Sequence, residues 1–260
     1  MNKIETKNKY GENLETMIEG APISEAKRIL IMVHGFGTSL HERGVFDDIV
    51  ARITQTLPHF CLVRFSWSGF GESEGKQEDT TLMKVSDDFR SVLDFVYKNK
   101  RDSAAVLVLG YSMGNIVTTN VLASGDYKIE KAITVNPTNY SSGAEAIKNW
   151  LVYPGVKIEN DKILVIPRAD GTITRINRAY WDTLDEINYH ENLEKLITEV
   201  PTVMFRASDD KIVDNRELMK LPFSKVIEIS GGHNFSGKAN REQFITKLEA
   251  EIVCKSCKKE

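Results

Sequence analysis

Cysteine is scarce in this chain, and its placement excludes a disulfide framework. Only three of 260 residues are cysteine: Cys61 within an apolar run, and Cys254 and Cys257 near the end. An odd and scattered set does not staple a small secreted scaffold. Cys254-x-x-Cys257 has the spacing of half a zinc site, but a structural site takes four ligands. The nearest histidine is His233 and no second C-x-x-C pair exists, so we read two free thiols on a tail and expect no metal. Glycine (17) and proline (7) are too few for a collagenous or low-complexity chain. Neither charge sign dominates, because 34 Lys and Arg face 37 Asp and Glu. A formal charge of −3 offers no general pull toward nucleic acid or anionic lipid. Long apolar runs are also missing: stretches such as Ile29 to Val33 are far short of the roughly 20 residues that span a bilayer. Met1 to Tyr10 is polar and has no signal-like core. We therefore expect a soluble, cytoplasmic protein.

What is present is an alternation of short apolar runs with amphipathic stretches, the rhythm of βαβ crossovers and a mainly parallel sheet. The fold class is α/β. Residues 1 to 20 read as a leading hairpin around Tyr10-Gly11-Glu12-Asn13. Strands are expected at Lys27–Val33, Phe60–Ser66, Ala104–Leu109, Lys131–Asn136, Pro201–Ala207 and Lys225–Ile229. Helices are expected over Phe46–Leu57, Leu82–Asn99, about Ile116–Leu122 and about Lys238–Val253, from apolar spacing such as Leu82, Val85, Phe89, Val92, Leu93 and Val96. The rhythm breaks between Thr138 and about Glu199. There Lys162–Pro167 and Thr172–Ile176 flank Asp170-Gly171, a good hairpin pair, and Ala179–Asn188 reads as helical. We expect one domain over 1–260 with an insertion at about 138–199.

The chemistry-bearing run is Gly110-Tyr111-Ser112-Met113-Gly114, a G-x-S-x-G pattern between a predicted strand and a predicted helix. A sharp turn there lifts the serine hydroxyl above the sheet. Serine is a weak nucleophile at neutral pH and needs an imidazole base, itself oriented by a carboxylate. His233 follows the last predicted strand in Ser230-Gly231-Gly232-His233-Asn234-Phe235 and is the candidate base. His41, His59 and His190 show no partnering pattern and are expected to face solvent. For the acid, Asp209 and Asp210 follow the penultimate strand. Successive side chains point different ways, so only one can reach the base; we choose Asp210, with Asp209 as the alternative. The order Ser112, Asp210, His233 is that of the α/β-hydrolase triad. Backbone amides for a developing oxyanion should come from Met113 and from Phe36 in the turn His34-Gly35-Phe36-Gly37.

These motifs resemble the α/β-hydrolase superfamily outside about 138–199. His34-Gly35-Phe36, Val63-Arg64-Phe65 leading into Gly69-Phe70-Gly71-Glu72-Ser73-Glu74-Gly75-Lys76, and Gly232-His233 are similar to bacterial cinnamoyl (feruloyl) esterases and their monoacylglycerol-lipase relatives. The resemblance implies a central, mainly parallel sheet flanked by helices and a small cap. It also implies a serine carboxylic-ester hydrolase that uses no cofactor and acts on small-molecule esters, with a thioesterase, acyltransferase or peptidase on the same scaffold, or a non-catalytic ligand-binding relative, as the alternatives. Departures are Met113 where these esterases commonly carry Gln, Asn115 in place of a usual glycine, and Ser66 and Ser68 in the pre-glycine loop. Within the insertion, Trp150, Leu151, Tyr153, Tyr180 and Trp181 either line an apolar cleft or pack the cap onto its base. Arg168, Arg175 and Arg178 read as a solvated hairpin face, with recognition of an acidic substrate group as the alternative.

Overall fold

A computed structural model describes residues 2–140, 142–168 and 171–253. Cys254, Cys257 and Asp170, on which sequence expectations fall, lie outside the described residues. In chain order the elements are β1 (Asn2–Lys7), β2 (Asn13–Gly20), β3 (Arg28–Val33), α1 (Val45–Thr56), β4 (Phe60–Phe65), α2 (Leu82–Asn99), β5 (Ala105–Tyr111), α3 (Gly114–Leu122) and β6 (Lys131–Val135). There follow α4 (Gly143–Leu151), β7 (Lys157–Glu159), β8 (Ile163–Pro167), β9 (Ile173–Asn177), α5 (Arg178–Glu186), α6 (Tyr189–Glu199), β10 (Thr202–Ala207), β11 (Lys225–Ile229) and α7 (Lys238–Ile252).

One eight-stranded sheet has the order β1-β2-β4-β3-β5-β6-β10-β11. The leading hairpin adds antiparallel to β4, and every pairing from β4 to β11 is parallel. Continuous apolar runs make the central strands because both faces are covered. In β3, Ile29, Ile31 and Val33 join the core that holds the buried face of α2 (Val85, Phe89, Val92) and α3 (Ile116, Val117). Leu30 and Met32 point the other way, among Phe46 and Ile49 of α1 and Phe244 and Leu248 of α7. The two-residue period of a strand thus feeds two helical layers. The long helix α2 begins where the Thr81 side chain accepts from Lys84 N (3.0 Å) and caps an otherwise unpaired amide.

After β3 the chain passes to β4 on one side, and β5 then pairs with β3 on the other. The carboxyl ends of β3 and β5 therefore flank the point where strand order reverses, the place where α/β sheets leave a crevice.

Between β6 and β10 lie α4 to α6 and a separate antiparallel sheet, β7-β8-β9. Pattern reading missed α4, β7 and α6, and it placed one helix at 179–188 where α5 ends at Glu186 and a new helix starts at Tyr189. The strand expected at Ala104–Leu109 runs on to Tyr111, so Gly110 lies inside β5, paired with Val33 and Thr134, and does not open the turn. Among the described residues no helix is long and apolar enough to cross a membrane.

Candidate active site

Ser112 sits one residue beyond β5 with φ 51°, a left-handed conformation that an L-residue adopts only under constraint. The constraint is visible in its contacts. Ser112 N donates to Val135 O (2.8 Å), and its carbonyl accepts from Asn115 N (3.0 Å) and Asn115 Nδ2 (3.0 Å). Asn115 Nδ2 also reaches Val135 O at 3.0 Å, which gives this departure from the esterase pattern a structural role. The two motif glycines serve close approach and do not need unusual dihedrals. A Cβ at Gly114 would lie 2.4 Å from Val33 O, and one at Gly110 would lie 2.7 Å from Thr118 Oγ1.

His233 follows β11, and its Nδ1 lies 2.7 Å from Asp210 Oδ2, with side chains 9% and 2% exposed. Asp210 Oδ1 is occupied by the amides of Ile212 (2.9 Å) and Val213 (3.1 Å). A carboxylate accepts only, so Nδ1 carries the ring proton and Nε2 keeps its lone pair. Asp209 is exposed and turns instead to Ser208 Oγ (3.0 Å) and Gly231 N (3.3 Å). Ser112, Met113, Phe36 and His233 line one cavity of about 50 Å³. Among the described residues, neither the Phe36 nor the Met113 amide donates to a backbone carbonyl. A second, larger cleft of about 510 Å³ lies between α1 and α7. The ion pairs Arg52–Glu242 and Arg241–Asp48 occupy its walls, and it holds no nucleophile beside a base.

His34 is fully buried and stacks on Trp67 with ring centroids 4.3 Å apart. Its Nε2 accepts from Trp67 N (3.1 Å), so Nδ1 bears the proton and donates to Gly35 O (2.7 Å). Burial pushes its pKa down to about 3, and it stays neutral at physiological pH. His41 is exposed beside Asp47, His190 is exposed, and His59 is half-buried against Phe60; none of them reaches this cavity. Among the described residues no group of three His, Cys, Asp or Glu side chains could hold a metal ion.

The segment between β6 and β10 contributes one wall. Trp150 and Tyr140 line the cavity, whereas Tyr180 and Trp181 are fully buried packing around Phe36, and Leu151 and Tyr153 are exposed. Arg175 pairs with Glu78 and Glu159, and Arg178 with Asp182, as a solvated face would. Arg168 departs from that reading. Its guanidinium lies over the rings of Phe36 (5.1 Å) and Trp150 (5.3 Å) and borders the cavity. Sequence reasoning did not single out Glu42, Thr38, Tyr111 or Asn136 for the site. Glu42 and Thr38 line the cavity, and Tyr111 and Asn136 bind the His233 carbonyl.

Comparison with known proteins gives the same frame. A family model described as serine aminopeptidase, S33 (Hydrolase_4) matches residues 24–161, just over half of the chain. The chain belongs to this hydrolase family. The matched segment includes Ser112 and the His34 turn and ends before Asp210 and His233. A pimeloyl-[acyl-carrier protein] methyl ester esterase of Pectobacterium carotovorum is 27% identical over 128 residues. That match covers 49% of this chain and 42% of the relative, so it spans less than half of the relative's length. Among solved structures, Est1E from Butyrivibrio proteoclasticus with ferulic acid bound has a TM-score of 0.72 at 18% identity, covering 96% of this chain and 97% of that one. A Paleococcus ferrophilus monoacylglycerol lipase has a TM-score of 0.67 at 17% identity, covering 92% and 97%. These likenesses bear out the α/β-hydrolase fold expected from the motifs.

Proposed function

We propose that this hydrolase cleaves carboxylic esters through an acyl-enzyme on Ser112. The observation that carries the reading is the His233 Nδ1 contact with Asp210 Oδ2 at 2.7 Å, which leaves Nε2 basic on the cavity that Ser112 lines. In this mechanism Nε2 takes the proton from Ser112 Oγ as the oxygen attacks the ester carbonyl. The carbonyl oxygen becomes an oxyanion and accepts hydrogen bonds from the Phe36 and Met113 amides. The imidazolium, held and stabilised by Asp210, gives its proton to the leaving alcohol. Water, deprotonated by the same Nε2, then releases the acid and regenerates Ser112.

Residues 138–199 act as a cap of the single catalytic domain, and specificity resides where Trp150, Tyr140 and Arg168 border the cavity. Space of about 50 Å³ favours a short acyl group. The ferulic acid bound by Est1E and the pimeloyl methyl ester named for the Pectobacterium relative keep aromatic and longer acyl esters among the candidates. The family's description makes a peptidase the second reading.

The deciding experiment is labelling by a fluorophosphonate, with Ser112→Ala as control. Expected is one covalent adduct at Ser112 in the wild type, none in the variant, an unchanged melting temperature and loss of nearly all p-nitrophenyl acetate turnover. A variant that keeps normal turnover refutes the assignment, and a wild type that takes no label is a binding protein. A panel of p-nitrophenyl esters from acetate to octanoate, methyl ferulate and aminoacyl p-nitroanilides separates the substrate classes.

A further inference from the structure

Glu42 is a carboxyl group at the active-site cavity for which the ester mechanism above has no use. It is 2% exposed and borders the same cavity as Ser112 and His233. Its hydrogen-bond partners are neutral: Gly35 N–H donates to Oε2, and the Thr38 hydroxyl lies 3.0 Å from the same oxygen. Glu42 and Arg43 have φ of 41° and 53°, a left-handed pair in the segment that leads into α1. Burial raises the carboxyl pKa, while the Gly35 amide, the Thr38 hydroxyl and the nearby His233 act to lower it.

The geometry around Gly35 suggests what this arrangement does. The Gly35 carbonyl and the Phe36 amide belong to one planar trans peptide, so fixing the carbonyl fixes where the N–H points. That carbonyl accepts from His34 Nδ1 (2.7 Å) and lies 3.1 Å from Thr38 Oγ1. The preceding peptide ends in the Gly35 N–H, which Glu42 holds. Gly35 is thus gripped on both sides, and it packs so tightly that a Cβ there would lie 3.0 Å from Ser112 Cβ.

We propose that Glu42 is a positioning residue: as the acceptor for Gly35 N–H and the Thr38 hydroxyl, it keeps the Phe36 amide aimed at the substrate's carbonyl oxygen. This inference rests on the ester-hydrolase reading, in which the Phe36 amide is an oxyanion donor. A donor turned away from its target forfeits most of its contribution, and well-placed oxyanion donors are worth about 10²–10³ in rate.

The test is kinetics of Glu42→Ala, Glu42→Gln and Thr38→Val on p-nitrophenyl acetate, with melting temperatures and fluorophosphonate labelling. Glu42→Ala is expected to lower kcat about 10- to 100-fold at a KM within twofold of wild type. Glu42→Gln, which restores an acceptor oxygen, is expected to recover at least a third of the wild-type kcat. A purely structural role would lower melting temperature and active fraction without this split and rescue. Unchanged kcat in Glu42→Ala, or no rescue in a folded Glu42→Gln, overturns the proposal. A loss carried by KM makes Glu42 a substrate-binding carboxylate and overturns it equally. If Glu42→Ala does not fold, Thr38→Val decides: kcat about 3- to 10-fold lower supports the proposal and unchanged kcat refutes it. A wild type that takes no fluorophosphonate sinks the ester-hydrolase reading, whereas a labelled wild type with an indifferent Glu42→Ala sinks this inference alone.

Discussion

The Tyr111 hydroxyl donates to the carbonyl oxygen of His233 at 2.6 Å, tying the residue before the proposed nucleophile to the backbone of the proposed base. Asn136 Nδ2 donates to the same carbonyl at 2.6 Å, while its Oδ1 accepts from Ala207 N at 2.6 Å. Asn136 has φ 43°, so the chain leaves β6 in a left-handed turn that carries its side chain toward β10. Residues at the carboxyl ends of β5, β6 and β10 therefore clamp the loop bearing His233. Tyr111, Asn136 and Ala207 are fully buried, and a buried group stripped of its partner costs about 1–3 kcal/mol.

Removing the clamp should separate rate from binding. Tyr111→Phe deletes one of two hydrogen bonds to the His233 carbonyl, and kcat on p-nitrophenyl acetate is expected to fall about 3- to 10-fold with KM unchanged. Asn136→Ala also orphans the Ala207 amide, so it should lower unfolding free energy by about 2 kcal/mol besides reducing kcat. Urea denaturation alongside steady-state kinetics checks both. Wild-type kcat in both variants would mean that the His233 loop does not depend on this clamp.

These two residues also show where sequence reading stops. Strand β3 is legible because Arg-Ile-Leu-Ile-Met-Val is an apolar run of strand length, which a doubly covered parallel strand requires. The candidates Ser112, Asp210 and His233 stand out in the sequence because each follows such a run, and parallel strands gather their carboxyl ends on one edge. Tyr111, by contrast, meets His233 across 122 positions and Asn136 meets it across 97, and no local pattern announces a contact of that span. Glu42 lies in the polar stretch Thr-Ser-Leu-His-Glu-Arg-Gly, which reads as a solvated loop; only the left-handed backbone turns its carboxyl inward. Helices α4 and α6 escape the pattern because they lie between β6 and β10, where the βαβ rhythm breaks and gives no guide.

The two neighbouring aspartates should behave oppositely. In Asp210→Asn, the amide can donate to Nδ1 and so favours the tautomer with its proton on Nε2, which cannot act as base. kcat is expected to fall about 10³- to 10⁴-fold with little change in folding. Asp209→Asn alters an exposed side chain away from the ring, and kcat should stay within twofold. A reversed ranking on the same substrate would transfer the orienting role to Asp209.

His34 makes stability depend on pH. An unfolded histidine titrates near 6.5, whereas burial holds the His34 pKa at about 3. Between those values the unfolded chain binds a proton that the folded chain refuses, so this contribution is complete above pH 6.5 and is lost as pH falls toward 3. It amounts to ~2 kcal/mol between pH 7 and pH 5. Glu42 and Asp88, whose pKa values burial raises, act with the opposite sign, so the measurement compares wild type with His34→Asn. The stability difference between the two proteins should shrink by about that amount from pH 7 to pH 5. A constant difference would mean that His34 takes up a proton while folded.

Glycine at 114 is required by crowding and at 125 by backbone angle, and alanine should distinguish the two. A methyl group on Gly114 would stand 2.4 Å from Val33 O and 2.5 Å from His34 O, both backbone atoms at the end of β3. Neither atom can yield without moving the His34-Gly35-Phe36 turn away from Ser112. Gly114→Ala should therefore lower stability by about 2–4 kcal/mol and leave the folded fraction with at least tenfold lower kcat. Gly125 has φ 78° with nothing within 4 Å of a Cβ, so Gly125→Ala meets only the strain of a left-handed residue, about 1 kcal/mol, and kcat should not change. Titrating active sites with a fluorophosphonate makes kcat refer to folded molecules in both variants. A folded Gly114→Ala with wild-type kcat would show that β3 and the nucleophile turn can separate without cost to the chemistry.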